Sequence, residues 1–228
     1  MKNYIFLLFL FMASNNLFSS SFSLDKYDIE IKSNFLGEEI VLFGQKYPTH
    51  DLIVIMEGEK RNISLTEKIK KNVLWTNKYV EYENIPSFFA IFTLPTKTIN
   101  ELFLIKKLKE EHYLISNSSS KLFKIRKGLE QKSLFFQKPL IEVGSNLFFS
   151  KFKIPDNINS GVINIYFYKI IDNKVYEIIK KSLTIKKKGI IQKIEYTLYN
   201  KPYVYIFALI MFAILFSLFA NYLLRKKL

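Results

Sequence analysis

Six short stretches decide the fold class: YDIEI (27–31), EIVLF (39–43), DLIVIM (51–56), NISL (62–65), VLWTNKYVEYE (73–83) and SFFAIF (87–92). Each alternates or runs apolar and favours β-branched and aromatic side chains, which is strand character. Turn chemistry separates them at 34–37, 44–50, 57–61 and 84–87. With no helical stretch among them to carry a parallel crossover, antiparallel pairing is expected.

Downstream the period changes. Leu102, Ile105, Leu108, His112 and Ile115 fall on one helical face, and Leu122, Ile125, Leu129 and Phe136 repeat it after the polar break SNSSS (116–120). Two amphipathic helices are predicted, in an insertion at about 97–137. Strands resume in NLFFSKFKIP (146–155), GVINIYFYKII (161–171) and VYEIIKKSLTI (175–185), the last two joined as a hairpin across Asp172, Asn173 and Lys174.

The two ends set the topology. Residues 1–23 carry Lys2, an apolar run at 4–13 and a tail of small polar residues, the anatomy of a signal peptide. That run is too short to cross about 30 Å of hydrocarbon, so an uncleaved anchor is the weaker reading. Cleavage after Ser21 or after Ser23 places Ser at both −1 and −3, and the sequence leaves both bonds open. Residues 203–224 hold no charge and are followed by Arg225, Lys226 and Lys227, which reads as a transmembrane helix with a short cytoplasmic tail at 225–228. Residues 187–202 read as a juxtamembrane stalk or short amphipathic link.

Roughly 160 to 180 residues then remain to fold in water, one ordinary domain. The expected fold is mainly β: an extracytoplasmic immunoglobulin-like antiparallel sandwich with an α-helical insertion over 24–186, plus the C-terminal transmembrane helix. Two separate small β domains are the alternative.

Composition narrows the chemistry. The absence of cysteine excludes disulfides, thiolate catalysis, Cys-based zinc sites and a lipid-modified cysteine. A formal charge of +14 suggests phosphate-bearing partners, but the lysines are scattered and accompany Ile, Asn and Phe, as A/T-rich codon usage dictates. Lys186, Lys187, Lys188, Lys193 and Lys201 outnumber the basic residues after the span and oppose this orientation by charge counting, a rule that is weak across long translocated segments.

Only two histidines occur, His50 in a turn and His112 on a helix face, neither with a second ligand at metal spacing; no metal and no cofactor is expected. No nucleophile elbow and no Gly-rich phosphate loop is present. Glu81 and Glu83 share a strand face, but alternation with Val80 and Tyr82 is what a half-exposed strand shows anyway. Glu38 with Glu39 and Glu110 with Glu111 are adjacent and diverge. Aromatics interleaved with lysines in YFYKII and LFFSKFK read as core at period two, and no nucleic acid is expected.

Taken together, IEIKSNFLGEEIVLFG (29–44), DLIVIMEG (51–58), VLWTNKYVEYENIPSFFAIF (73–92), NLFFSKFKIP, SGVINIYFYK (160–169) and a span after NKPYVY (200–205) resemble the uncharacterised alphaproteobacterial transmembrane protein family. The most specific positions are Gly37, Phe43, Gly44, Trp75, Asn77, Pro86 and Phe88; where that family carries Gly-Pro, this chain has Gly58-Glu59. The resemblance implies a signal-bearing, membrane-anchored protein and no catalytic residue. Trp75 and Phe88 are expected in the core, with a docking surface formed by Trp75, Asn77 and the Phe88 strand as the alternative.

These readings lead to a non-enzymatic binding or accessory module on the outer face of a bacterial inner membrane. Its partners are the lipid bilayer and another membrane or envelope protein, a transporter among the candidates. A small-ligand binder or sensor and an envelope hydrolase are the alternatives.

Overall fold

The computed structural model describes residues 22–46, 50–71, 74–115 and 120–225. Residues 1–21 of the signal peptide expected at 1–23, part of the turn at 44–50, most of the SNSSS break, and Lys226 and Lys227 lie outside the described residues.

A six-stranded sheet forms the centre. Its strands are β2 (Asp28–Ile31), β4 (Asp51–Gly58), β7 (Phe89–Leu94), β8 (Phe135–Pro139), β11 (Gly161–Ile171) and β12 (Lys174–Lys187), in the order β2-β12-β11-β4-β7-β8. The β11–β12 hairpin closes where expected: Asp172 and Asn173 both take positive φ, 48° and 59°, as a two-residue primed turn requires. Leu52 to Met56 of β4 are completely buried, so this strand is covered on both faces.

One cover is a second sheet of β1 (Phe22–Leu24), β3 (Glu38–Gln45), β9 (Ile141–Val143) and β10 (Leu147–Ile154), ordered β1-β3-β10-β9. Aromatic rings join the two: Phe22 and Phe148 stack on Phe167 at 5.0 and 5.9 Å, and Phe152 packs on Phe92 and Phe136. This is the sandwich core. β1 includes Phe22 and Ser23, which the sequence reading left within residues 1–23.

The other cover is the helical insertion, α1 (Ile99–Phe103), α2 (Lys106–Glu111) and α3 (Ser120–Gln131). A Thr98/Glu101 capping box starts α1. Leu102, Ile105, Leu108, His112 and Ile115 are all buried as their spacing predicts, although only Leu102 and Leu108 lie within helices, two short ones and not one; Ile105 and His112 cap α2 and Ile115 sits in the turn after it. Opposite parity along a strand serves both layers, Phe92 and Phe167 facing the second sheet while Phe89 and Tyr168 meet His112.

The all-antiparallel expectation fails at two pairs. β7 and β8 run parallel, with Phe89 opposite Phe135, because the helical insertion supplies the crossover between them. β2 pairs parallel with β12 at the far edge. Phe136 is likewise a strand residue of β8, not the end of a helix: Ser133 takes φ 57° and Leu134 N–H bonds the Leu129 carbonyl, which stops α3.

β5 (Lys60–Lys71) and β6 (Leu74–Pro86) form a two-stranded ribbon of their own. Asn84, at φ 57°, makes a bulge opposite Asn62, so the break expected at 84–87 kinks the strand without ending it. At the base Tyr82, Ile85 and Pro86 are buried; toward the far end every described side chain from Leu74 to Tyr79 is exposed.

After β12 the stalk segment is a helix, α4 (Ile190–Asn200), separated by Lys201 alone from α5 (Pro202–Arg225). At 1.5 Å per residue, the 24 residues of α5 extend about 36 Å, more than the hydrocarbon thickness. Residues Pro202–Leu223 have a mean hydropathy of 2.5 and none of the most apolar window is buried.

Candidate functional site

Four polar side chains converge between α2 and the central sheet. His112, which caps the C-terminus of α2, directs Nδ1 at Glu57 Oε2, 2.8 Å away, and Nε2 at the Tyr168 hydroxyl, 2.7 Å away. The same hydroxyl donates to Glu111 Oε2 at 2.7 Å. His112 is 1% exposed and Glu57 6%, whereas Glu111 reaches solvent. Phe89 and Tyr166 make T-shaped contacts with the imidazole at centroid distances of 6.0 and 5.0 Å.

Three contacts need three hydrogens. Two carboxylates with an imidazolium satisfy all three; a neutral imidazole satisfies them only if one carboxyl keeps its proton. Burial pushes the Tyr168 phenol well above its usual range, and its hydrogen bond to Glu111 adds to this. Burial, then the two glutamates, raises Tyr166 in the same direction. Glu57 Oε1 is buried without a hydrogen-bond partner.

Both imidazole nitrogens are engaged inside the protein, so the ring offers no free atom to a substrate. What the cluster does is couple α2 to β4 and β11. Sequence reading found His112 and missed Glu57 and Tyr168, which stand 55 and 56 residues away. The available signal was Glu57 itself, one acid at the end of the apolar run DLIVIM.

His50 stacks on Tyr176 at 5.8 Å, away from this cluster's partners. Among the described residues no group of three His, Asp or Glu side chains is placed to hold a metal ion. Glu81 and Glu83 are exposed on the ribbon, and Glu110 pairs loosely with Lys106 at 3.8 Å.

The positions singled out by resemblance separate into three groups. Phe88 and Pro86 are buried, and Gly37 has φ 89° with its absent Cβ 2.5 Å from the Ile154 carbonyl, so these are structural. Phe43 and Gly44 line a shallow apolar pocket of about 310 Å³ with Phe22, Val143, Leu147 and Phe148. Trp75, expected in the core, is 68% exposed, and Asn77 beside it is exposed too. The reason is that, among the described residues, β5 and β6 pair only with each other, and the outer part of this ribbon is exposed. Glu59, standing where the resemblance expects Pro, accepts the Val162 N–H at 3.1 Å.

Tyr79, 74% exposed, extends the strand face of Trp75 and Asn77, and Leu74, 72% exposed, stands on the other face, with Lys68 and Lys70 opposite Asn77 and Trp75 on the paired strand. Between the ribbon and α3, Lys68, Lys124, Lys127 and Lys132 line one open pocket, a clustering that their scatter in sequence concealed.

A family model described as "Putative transmembrane protein (Alph_Pro_TM)" matches residues 21–226, nearly the whole chain. No curated protein matches it.

Proposed function

The chain belongs to the Alph_Pro_TM family of transmembrane proteins, and from that premise we propose a single-pass inner-membrane protein whose β-rich domain, outside the cytoplasm, is a non-enzymatic binding or accessory module. One observation carries the binding role: the ribbon holds Trp75 and Tyr79 exposed to water on one strand face and Leu74 exposed on the other. Exposed large apolar side chains grouped on one element mark interaction surfaces, and aromatic residues supply most of the energy when such a surface is covered. The partner is another membrane or envelope protein, a transporter among the candidates.

Helix α4 supports the membrane-proximal part of this reading. Ile190, Ile194 and Leu198 form one stripe, exposed at 70%, 49% and 41%, with Gln192, Tyr196 and Tyr199 on the opposite side. A helix of that kind, one residue from a span, lies in the headgroup layer with its apolar stripe toward the acyl chains. Lys186, Lys187 and Lys188 pair with Asp28, Glu195 and Glu30, which softens the positive field on this side of the span.

Photo-crosslinking from position 75 in intact membranes, followed by capture of the full-length protein, tests the binding role. A discrete crosslinked protein, lost in Trp75→Ala without change in melting temperature, is expected. A chain that runs alone from every ribbon position contradicts it. The pocket around Phe43 and Phe148 favours a second reading, a binder of a small apolar ligand, which a thermal-shift screen separates from the first.

A further inference from the structure

We propose that the leader is removed by hydrolysis of the Ser21–Phe22 bond, making Phe22 the first residue of the mature protein. The inference rests on the signal-peptide reading above and specifies its site. A leader peptidase accepts small residues at −1 and −3. Along 17–24, LFSSSFSL, only two bonds meet that demand: the one after Ser21, with Ser19 at −3, and the one after Ser23, with Ser21 at −3. Cutting after Ser19 or Ser20 would place Leu17 or Phe18 at −3.

The fold chooses between the two. Phe22 is 1% exposed and stacks face to face on Phe167, with 11° between the rings. Its carbonyl accepts from Lys181 Nζ at 2.6 Å, and the same ammonium stands 4.8 Å over its ring. Phe22, Ser23 and Leu24 pair in register with Gly44, Phe43 and Leu42, and the Ser23 hydroxyl lies 3.1 Å from the Tyr27 hydroxyl. Cleavage after Ser23 would discard two of the three residues of β1 and open the end of the aromatic core. β1 is also an edge strand, so a chain end at Phe22 leaves the sheet without crossing it.

In the cleavage, the hydroxyl of water adds to the Ser21 carbonyl carbon and the C–N bond breaks. Both protons of the water end on the Phe22 nitrogen, one directly and one by way of the new carboxyl, leaving a Ser21 carboxylate and a Phe22 ammonium.

The test is mass spectrometry of the N-terminal peptide of full-length protein expressed in a Gram-negative host and extracted from membranes. A chain beginning at Phe22 is expected. One beginning at Leu24, or at any position from 14 to 30 other than Phe22, overturns the assignment while leaving the leader reading intact; one beginning at or before residue 13 overturns both. Two variants separate the bonds. Ser19→Phe blocks the proposed site alone and is expected to lose the Phe22 terminus, whereas Ser23→Phe blocks the alternative alone and is expected to keep it. The opposite pattern overturns the proposal.

Discussion

Glu57 Oε2 and His112 Nδ1 meet at 2.8 Å across 55 residues of sequence, and the second oxygen of that carboxylate is buried with no hydrogen-bond partner. The imidazole is therefore the group that makes burial of this acid tolerable, and through Tyr168 it links the acid to Glu111 at the surface. His112→Ala leaves the acid alone in the core and is expected to cost about 3–5 kcal/mol. Glu57→Ala in the same background should cost less than it does alone, with a coupling of about 0.5–3 kcal/mol. Unfolding followed by circular dichroism in mild detergent measures both. Additive single effects would contradict the pairing.

The phenol of Tyr168 gives a dependence on alkaline pH with a defined sign. Its proton is held more tightly in the folded chain than in the unfolded one, whose tyrosines titrate near about pH 10. Above that pH the unfolded state binds fewer protons than the native state, so stability falls as pH rises. Tyr168→Phe removes the titrating group. The stability advantage of the unsubstituted protein over this variant should shrink between about pH 9 and about pH 11. An advantage that stays constant over that range would exclude the assignment.

For α4, a depth pattern is predicted. The sequence has no cysteine, so single cysteines introduced into the full chain can be spin-labelled selectively. In vesicles, labels at Ile194 and Leu198 should collide more with oxygen than with a water-soluble nickel chelate, and labels at Gln192 and Asn200 should do the reverse. Equal exposure of all four to the chelate would mean that α4 stands in water as a stalk.

How far the sequence was legible depends on how local the signal was. DLIVIM, SFFAIF and GVINIYFYKII announced buried strands because burial on both faces leaves an unbroken apolar run, and Asp172-Asn173 announced a hairpin because its turn needs positive φ. Parallel pairing of β7 with β8 was not legible, since direction is set by where the insertion returns the chain and no residue of either strand encodes it. Phe136 continued the helical period only by coincidence, α3 having ended at the left-handed Ser133. Trp75 and Phe88 looked alike as large aromatics on neighbouring apolar stretches. They part because one stands on the exposed outer part of the ribbon and the other follows its buried base. Of the polar cluster only the helical pair Glu111 and His112 was noticed in advance, as Glu57 and Tyr168 come from strands that meet them only in three dimensions.

The central claim is the topology, with the β domain outside the cytoplasm, one span and the tail inside. Single cysteines in place of Tyr176, exposed on β12, and of Lys227, in the tail, read it directly with a membrane-impermeant maleimide. In spheroplasts the label should reach position 176 at once and position 227 only after lysis. Labelling at 227 with protection at 176 would place the domain in the cytoplasm and contradict the account.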